Sequence, residues 1–255
     1  MTEKQIKDRE EGIQKQMENK LGLEDSFTFN CKGCGSCCRD REDILLSPHD
    51  IYRGSKHLNI KPFEFFEKYC ETYIGQNSKL PIIRLRPKPT PYLLVFRDPK
   101  KRAASICPLL SGGLCSVHQS KPRCCALFPL GRFCNSKTKE IHYGVNDAKC
   151  GANGKSTTVR EWLAAFNIPH NEEEYIIWSS FVTDMVILMK KLESWTEKTK
   201  RMIWDVFLNL AYFQYDMSKD FLPQLKTNLA KLRELFQVAE DLIDSKIPGS
   251  IGEMA

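Results

Sequence analysis

The chain has 255 residues, and 42% of them are hydrophobic, enough for one or two globular domains with a real core. Its net charge of +6, from 38 basic and 32 acidic residues, is too small an excess to point to nucleic acid, and no nucleic-acid-binding motif accompanies it. No apolar run has the length of a membrane span, and the mostly charged opening residues lack the apolar segment of a secretory signal. A cytoplasmic protein with reduced thiols is expected, with no nucleic-acid or membrane partner. A protein partner and the oligomeric state stay open.

In chain order, Ile6, Ile13, Met17 and Leu21 recur at helical offsets among charges, so the first 26 residues are expected to hold a marginal amphipathic helix. Cys31, Cys34, Cys37 and Cys38 follow, with Gly33 and Gly35 free to let the loop turn between them. Ser47 before Pro48 predicts a helix start, and Pro62 opens a second helix rich in Phe, whose pattern runs on to Cys70. Residues 81–86, 91–96 and 140–145 are strand candidates. The basic stretches around Arg84 and Arg97 are expected to be solvated loops.

Beyond residue 156 the chain contains no cysteine, and its pattern becomes helical. Thr158 with Glu161, and Asn171 with Glu174, have the spacing of capping boxes ahead of apolar runs. A further helix is expected from about Glu197 to Tyr215. The last carries Leu222, Leu225, Leu229, Leu232, Phe236, Ala239 and Ile243 in a heptad stripe, fit to seal a helical bundle or to form a dimer seam. Three consecutive segments result: an N-terminal helix over 1–26, a cysteine-cluster domain over 27–156 and a helical region over 157–255. The fold class is α+β, a small cysteine-rich domain of short strands and loops followed by a mostly helical C-terminal region.

All 11 cysteines lie between residues 31 and 150. Four thiols within eight residues are hard to explain by packing. Soft thiolates two residues apart suit zinc or an iron–sulfur cluster. Structural zinc sites usually draw on two separated C-x₂-C pairs. A C-x₂-C-x₂-C run with a distant Cys-Pro, here Cys107 and Pro108, is closer to ferredoxin-type [4Fe–4S] ligation. The cofactor expected is therefore an iron–sulfur cluster or zinc. Cys70 is expected to be structural, Cys134 is a possible substitute ligand, and His118, three residues after Cys115, could complete a metal site. Gly151, Gly154 and Lys155 fall short of a phosphate loop, because Lys149 stands where its first glycine belongs.

These elements resemble the CxxCxxCC cysteine-cluster family, a zinc- or iron-chelating domain. The resemblance covers roughly residues 27–165. It begins with Phe29 and the first four cysteines and continues with Leu46, Pro48 and Asp50. Next come Cys107 to Leu110, then Cys115, then Lys121, Pro122, Cys125, Phe128 and Pro129, and finally Cys150 with its glycines. It departs where Ala126 replaces a usual Arg and His118 a usual Tyr. The metal ligands implied are Cys31, Cys34, Cys37, Cys38, Cys107, Cys115, Cys125 and Cys150, enough thiols for two four-cysteine sites. The function implied is metal binding. Two alternatives remain, since some proteins with a similar cluster are S-adenosylmethionine-dependent flagellin lysine N-methylases, and a structural zinc interaction module would need the same thiols. No catalytic residue follows from either.

Overall fold

The computed structural model describes residues 20–31, 35–39, 44–89, 105–135, 137–146, 151, 154–191 and 195–244. In chain order its elements begin with β1 (Ser26–Thr28), α1 (Pro48–Leu58), α2 (Pro62–Tyr69), β2 (Cys70–Ile74), β3 (Pro81–Leu85), β4 (Lys88–Pro89) and β5 (Ser105–Ile106). They continue with β6 (Leu110–Ser111), β7 (Leu114–Cys115), α3 (Arg123–Leu127), β8 (Leu130–Cys134), β9 (Ile141–Val145), β10 (Ser156–Thr158) and α4 (Val159–Ala165). Three longer helices end the chain: α5 (Glu173–Lys191), α6 (Glu197–Leu208) and α7 (Phe221–Asp244). The fold is α+β, with strands in two-stranded pairs and helices dominating the C-terminal region. No helix among the described residues is long and apolar enough to cross a membrane. The chain divides into two compact units, residues 1–46 with 84–176 and residues 47–83 with 177–255.

The first unit is built from small pieces. β1 pairs antiparallel with β10, and β8 with β9, setting Arg132 opposite Tyr143. Leu21 extends this arrangement, its amide donating to the Tyr143 carbonyl at 2.8 Å. The core gathers Phe27, Phe29, Ala126, Leu127, Leu130, Tyr143, Val159, Leu163 and Ile168. Trp162 packs edge-on against Phe27 and Phe29, and its indole Nε1 donates to the Leu127 carbonyl at 3.0 Å. Thr158 starts α4 as its spacing predicts: its hydroxyl accepts from the Glu161 amide, and the Glu161 carboxylate accepts from the Thr158 amide at 3.0 Å.

The second unit is helical and supplies its own core. Ser47 and Asp50 form a capping box at the start of α1, with Pro48 in its first turn. α1 and α2 meet at Gly54, where a Cβ would lie 2.7 Å from the Phe65 ring, so only glycine permits the approach. Of the stripe expected on α7, Leu225, Leu229, Leu232 and Phe236 are buried and Leu222 is half-buried, while the side chains of Ala239 and Ile243 lie outside the described residues. Trp178, Phe181, Phe207 and Tyr212 pack ring against ring.

Several sequence expectations are corrected. Cys70 does not continue the helix of α2. It caps it and starts β2, fully buried. The helix from Glu197 ends at Leu208 and passes into a π turn, Asn209–Phe213. Asn171 is not the cap of α5: Glu172 is the residue before the helix, and its carbonyl accepts from the Tyr175 and Ile176 amides. β8 and β10 were not foreseen, because neither has a long apolar alternation. The helix expected before residue 20 and the strand expected over 91–96 lie outside the described residues.

Candidate metal centre

The loop that follows β1 delivers the first cysteines. Phe29 is buried in the core and anchors the chain two residues before Cys31. Gly35, at φ 69°, turns the loop into a 3₁₀ turn over Ser36–Cys38, where the Cys38 amide donates to the Gly35 carbonyl at 3.0 Å. The second group is brought alongside through backbone pairing. The Cys107 amide donates to the Cys38 carbonyl at 2.8 Å, and Arg39 bridges Ile106 in antiparallel fashion. β6 and β7 then form a hairpin whose Gly112 and Gly113 both have positive φ, setting Cys115 opposite Leu110. α3 carries Cys124 and Cys125. Phe128, just beyond it, stacks edge-on against Phe29 with centroids 5.7 Å apart. The aromatic residues flanking both cysteine groups thus hold each other, a contact that neither spacing predicts.

Gly151 and Gly154 close the same region. The Asn30 amide donates to the Gly151 carbonyl at 3.1 Å. A Cβ on Gly151 would fall 2.6 Å from the Phe29 ring, and one on Gly154 only 2.4 Å from the Phe29 carbonyl carbon. These glycines make a close backbone seat next to Cys31, where the sequence indicated only a turn.

A cavity of about 150 Å³ opens between these segments within the first unit. Cys31, Cys37, Cys38, Cys107, Cys115 and Cys125 all line it, together with Cys124 and His118. Leu109, Leu110, Phe128 and Trp162 make its walls largely apolar. Cys34 and Cys150 lie outside the described residues. Cys134, at the end of β8, does not line the cavity, and Cys70 belongs to the other unit.

The thiols oppose one another's ionisation. A hydrogen bond with Cys37, then burial, then the charges of Cys37, Cys107 and Cys125 drive the Cys38 thiol far upward. Burial pushes the Cys107 thiol up to about 11, helped by Cys125 and Cys115 and resisted by backbone bonds at Leu109 and Leu110. Burial also raises Cys115, with Cys125 and Cys37 adding to it, while Lys121 pulls it down. Five thiols therefore share one electrostatic neighbourhood of low polarity, where thiolates are disfavoured until a cation neutralises them. Among the described residues no three His, Cys, Asp or Glu side chains are close enough together to hold a metal ion. The donor set itself, all sulfur with one imidazole at the rim, fits zinc or an iron–sulfur cluster and fits hard cations poorly.

Residues 30–151 match the model of the CxxCxxCC family, described as "Putative zinc- or iron-chelating domain". No curated protein and no solved structure matches the chain. The matched segment, which resembles a zinc- or iron-chelating domain, contains every cysteine that lines the cavity.

Proposed function

We propose that this chain is a cytoplasmic metal-binding protein whose cysteine domain holds an iron–sulfur cluster, with ligands drawn from Cys31, Cys34, Cys37, Cys38, Cys107, Cys115, Cys125 and Cys150. The observation that carries the reading is the convergence of Cys37, Cys38, Cys107, Cys115 and Cys125 on one apolar cavity, where burial and neighbouring thiols disfavour ionisation of Cys38, Cys107 and Cys115. Such a set gains most from a cofactor that takes up several thiolates at once. The C-x₂-C-x₂-C run with a distant Cys-Pro favours a cluster over a lone zinc ion. When bound, a cluster would supply one-electron chemistry or a rigid cross-link. The chain's own residues hold the sulfurs, and Phe29, Phe128 and Trp162 line the cavity beside them.

Zinc is the second reading, favoured by the imidazole of His118 at the rim, which is a good zinc donor and a rare cluster ligand. The experiment is anaerobic purification of the full chain with iron, acid-labile sulfide and zinc measured against protein. A brown protein with matching iron and sulfide is expected. A colourless protein with stoichiometric zinc would replace the cluster by zinc, and a metal-free folded protein would sink both.

A further inference from the structure

The first unit contains a buried polar cluster distinct from the cavity. Glu172 is only 2% exposed, and both of its oxygens are engaged. Arg123 Nε donates to Oε1 at 2.8 Å, and Arg123 Nη2 lies 2.6 Å from the same oxygen. Arg132 Nη1 donates to Oε2 at 2.7 Å. The Arg132 guanidinium lies 3.6 Å from the centre of the Tyr175 ring, and the Tyr175 hydroxyl donates to the Arg132 carbonyl at 3.0 Å. A carboxylate gripped by two largely buried guanidiniums costs much desolvation to assemble. Removing one partner strands a buried charge. The triad ties together α3, β8 and the residue before α5.

Its position relative to the thiols gives it a consequence. Arg123 is the first residue of α3, a helix of five residues with no side-chain cap at Pro122. So short a helix has no stability of its own, and tertiary contacts must fix its rotation. Ala126 and Leu127 are buried in the core and hold one side. Arg123, bound to Glu172, holds the start. The two residues between these anchors are Cys124 and Cys125, both on the cavity wall. Glu172 lies beyond the matched family segment, and the sequence pattern marks it only as a neighbour of a helix cap.

We propose that Glu172, acting through Arg123, is a positioning residue for the thiol centre: its grip sets the rotation of α3 and so the direction in which Cys124 and Cys125 present their sulfurs. The effect on metal rests on the metal-binding reading above. The effect on thiol presentation does not.

The test uses the full chain carrying Glu172→Gln, Arg123→Lys or Val159→Ala. Val159 is fully buried in the same core and has no polar side-chain atom to join the triad, so its truncation reports general loss of stability. Cobalt(II) is bound without oxygen and then displaced by zinc, with the thiolate-to-cobalt absorption band followed. Loss of a residue that orients metal ligands typically weakens affinity by about 10–100-fold. That loss, with a shifted band, is expected for Glu172→Gln and in smaller degree for Arg123→Lys. Val159→Ala should melt earlier yet keep the affinity and band of the wild type. A folded Glu172→Gln with unaltered affinity and band overturns the proposal, as does a Val159→Ala that changes both equally. Should Glu172→Gln fail to fold, Arg123→Lys decides by the same criteria. If the wild type binds neither cobalt nor zinc, the metal arm gives no reading. Positioning is then read from metal-free protein, as the alkylation rates of Cys124 and Cys125 relative to Cys115. A several-fold change in that ratio in the variants is expected, and an unchanged ratio overturns it.

Discussion

The two units are held together by different means. The helical unit buries Phe65, Phe181, Phe207, Leu225, Leu229 and Leu232 almost completely, on helices long enough to present continuous apolar faces. The thiol unit has a compact core around Phe29 and Leu163, but its cavity wall is made of two-residue strands, a five-residue helix and glycine turns. Such pieces bury little surface apiece. In place of further core, the wall carries thiols that resist ionising together. An apolar face stabilises by itself, whereas a wall of this kind would gain from a metal cross-link.

The largest expected effect breaks that comparison directly. Replacing Cys107 with Ser removes a thiol whose own amide ties the second group to Cys38. Bound metal should fall sharply, as it should for Cys31→Ser or Cys37→Ser. Apparent binding energies of structural zinc sites are on the order of 10 kcal/mol, so the thiol unit should lose protection in hydrogen exchange. The helical unit should keep its own. Equal loss of protection in both units would mean that they are not stabilised separately. Unchanged metal in all these variants would falsify the ligand assignment.

Next in size is the reverse experiment. Leu229 is fully buried in the stripe of α7, and Leu229→Ala should cost about 2–5 kcal/mol through lost burial and the cavity left behind. Denaturant unfolding followed by helical circular dichroism should show the shift while metal content per folded protein stays constant. Metal lost in step with helix stability would contradict the division of labour.

How much of this was legible in the sequence follows from the range of each interaction. Caps are local, so Ser47 with Pro48 and Thr158 with Glu161 announced α1 and α4 three residues at a time. The stripe of α7 was legible for the same reason, since its period is its structure. The cysteines told their chemistry through spacing, but not which of them share a wall. That depends on the Cys38 to Cys107 backbone bond and the Phe29 to Phe128 contact, which span about 70 and 100 residues. Cys124, with no counterpart in the family pattern, became a cavity residue only through the fold. Glu172 was hidden by a stronger local signal: Asn171 and Glu174 have the spacing of a cap, while the side chain between them serves two distant arginines. The helical segment over 47–83 reads as part of the cysteine domain in linear order, yet its apolar faces are gathered with those beyond residue 177.

A smaller effect sharpens the role of the glycine seat. Gly154→Ala places a methyl 2.4 Å from the Phe29 carbonyl carbon and 2.5 Å from the Asn30 nitrogen, and backbone atoms cannot swing aside. The chain leading into Cys31 must shift, at a cost of about 1–3 kcal/mol. Metal affinity should weaken along with stability, in contrast to Leu229→Ala. A variant that loses stability but binds metal as tightly as before would show that the seat serves folding alone.

The smallest effect belongs to the helical unit and appears only in acid. Asp216 lies ahead of α7, where its carboxylate accepts from the Ser218 hydroxyl at 2.6 Å and the Ser218 amide at 3.0 Å, with Lys219 Nζ 3.2 Å away. The hydroxyl bond first, then the amide and the Lys219 contact, hold this carboxyl down to about 2 from its ordinary 3.8. A carboxyl whose folded value lies below its unfolded value stabilises the fold above the unfolded value. That contribution is lost as pH falls from about 4 toward 2. Asp216→Asn removes the titration and keeps an oxygen able to accept from Ser218. Other carboxylates titrate over the same range, so the quantity to measure is the difference in melting temperature between the two proteins. The aspartate is exposed and solvent screens it, so the difference should be small near neutrality and shrink toward zero at about pH 2. High salt should reduce only the part owed to Lys219. A difference that stays constant from pH 6 to pH 2 would mean that the turn is held by its hydrogen-bond geometry and not by charge.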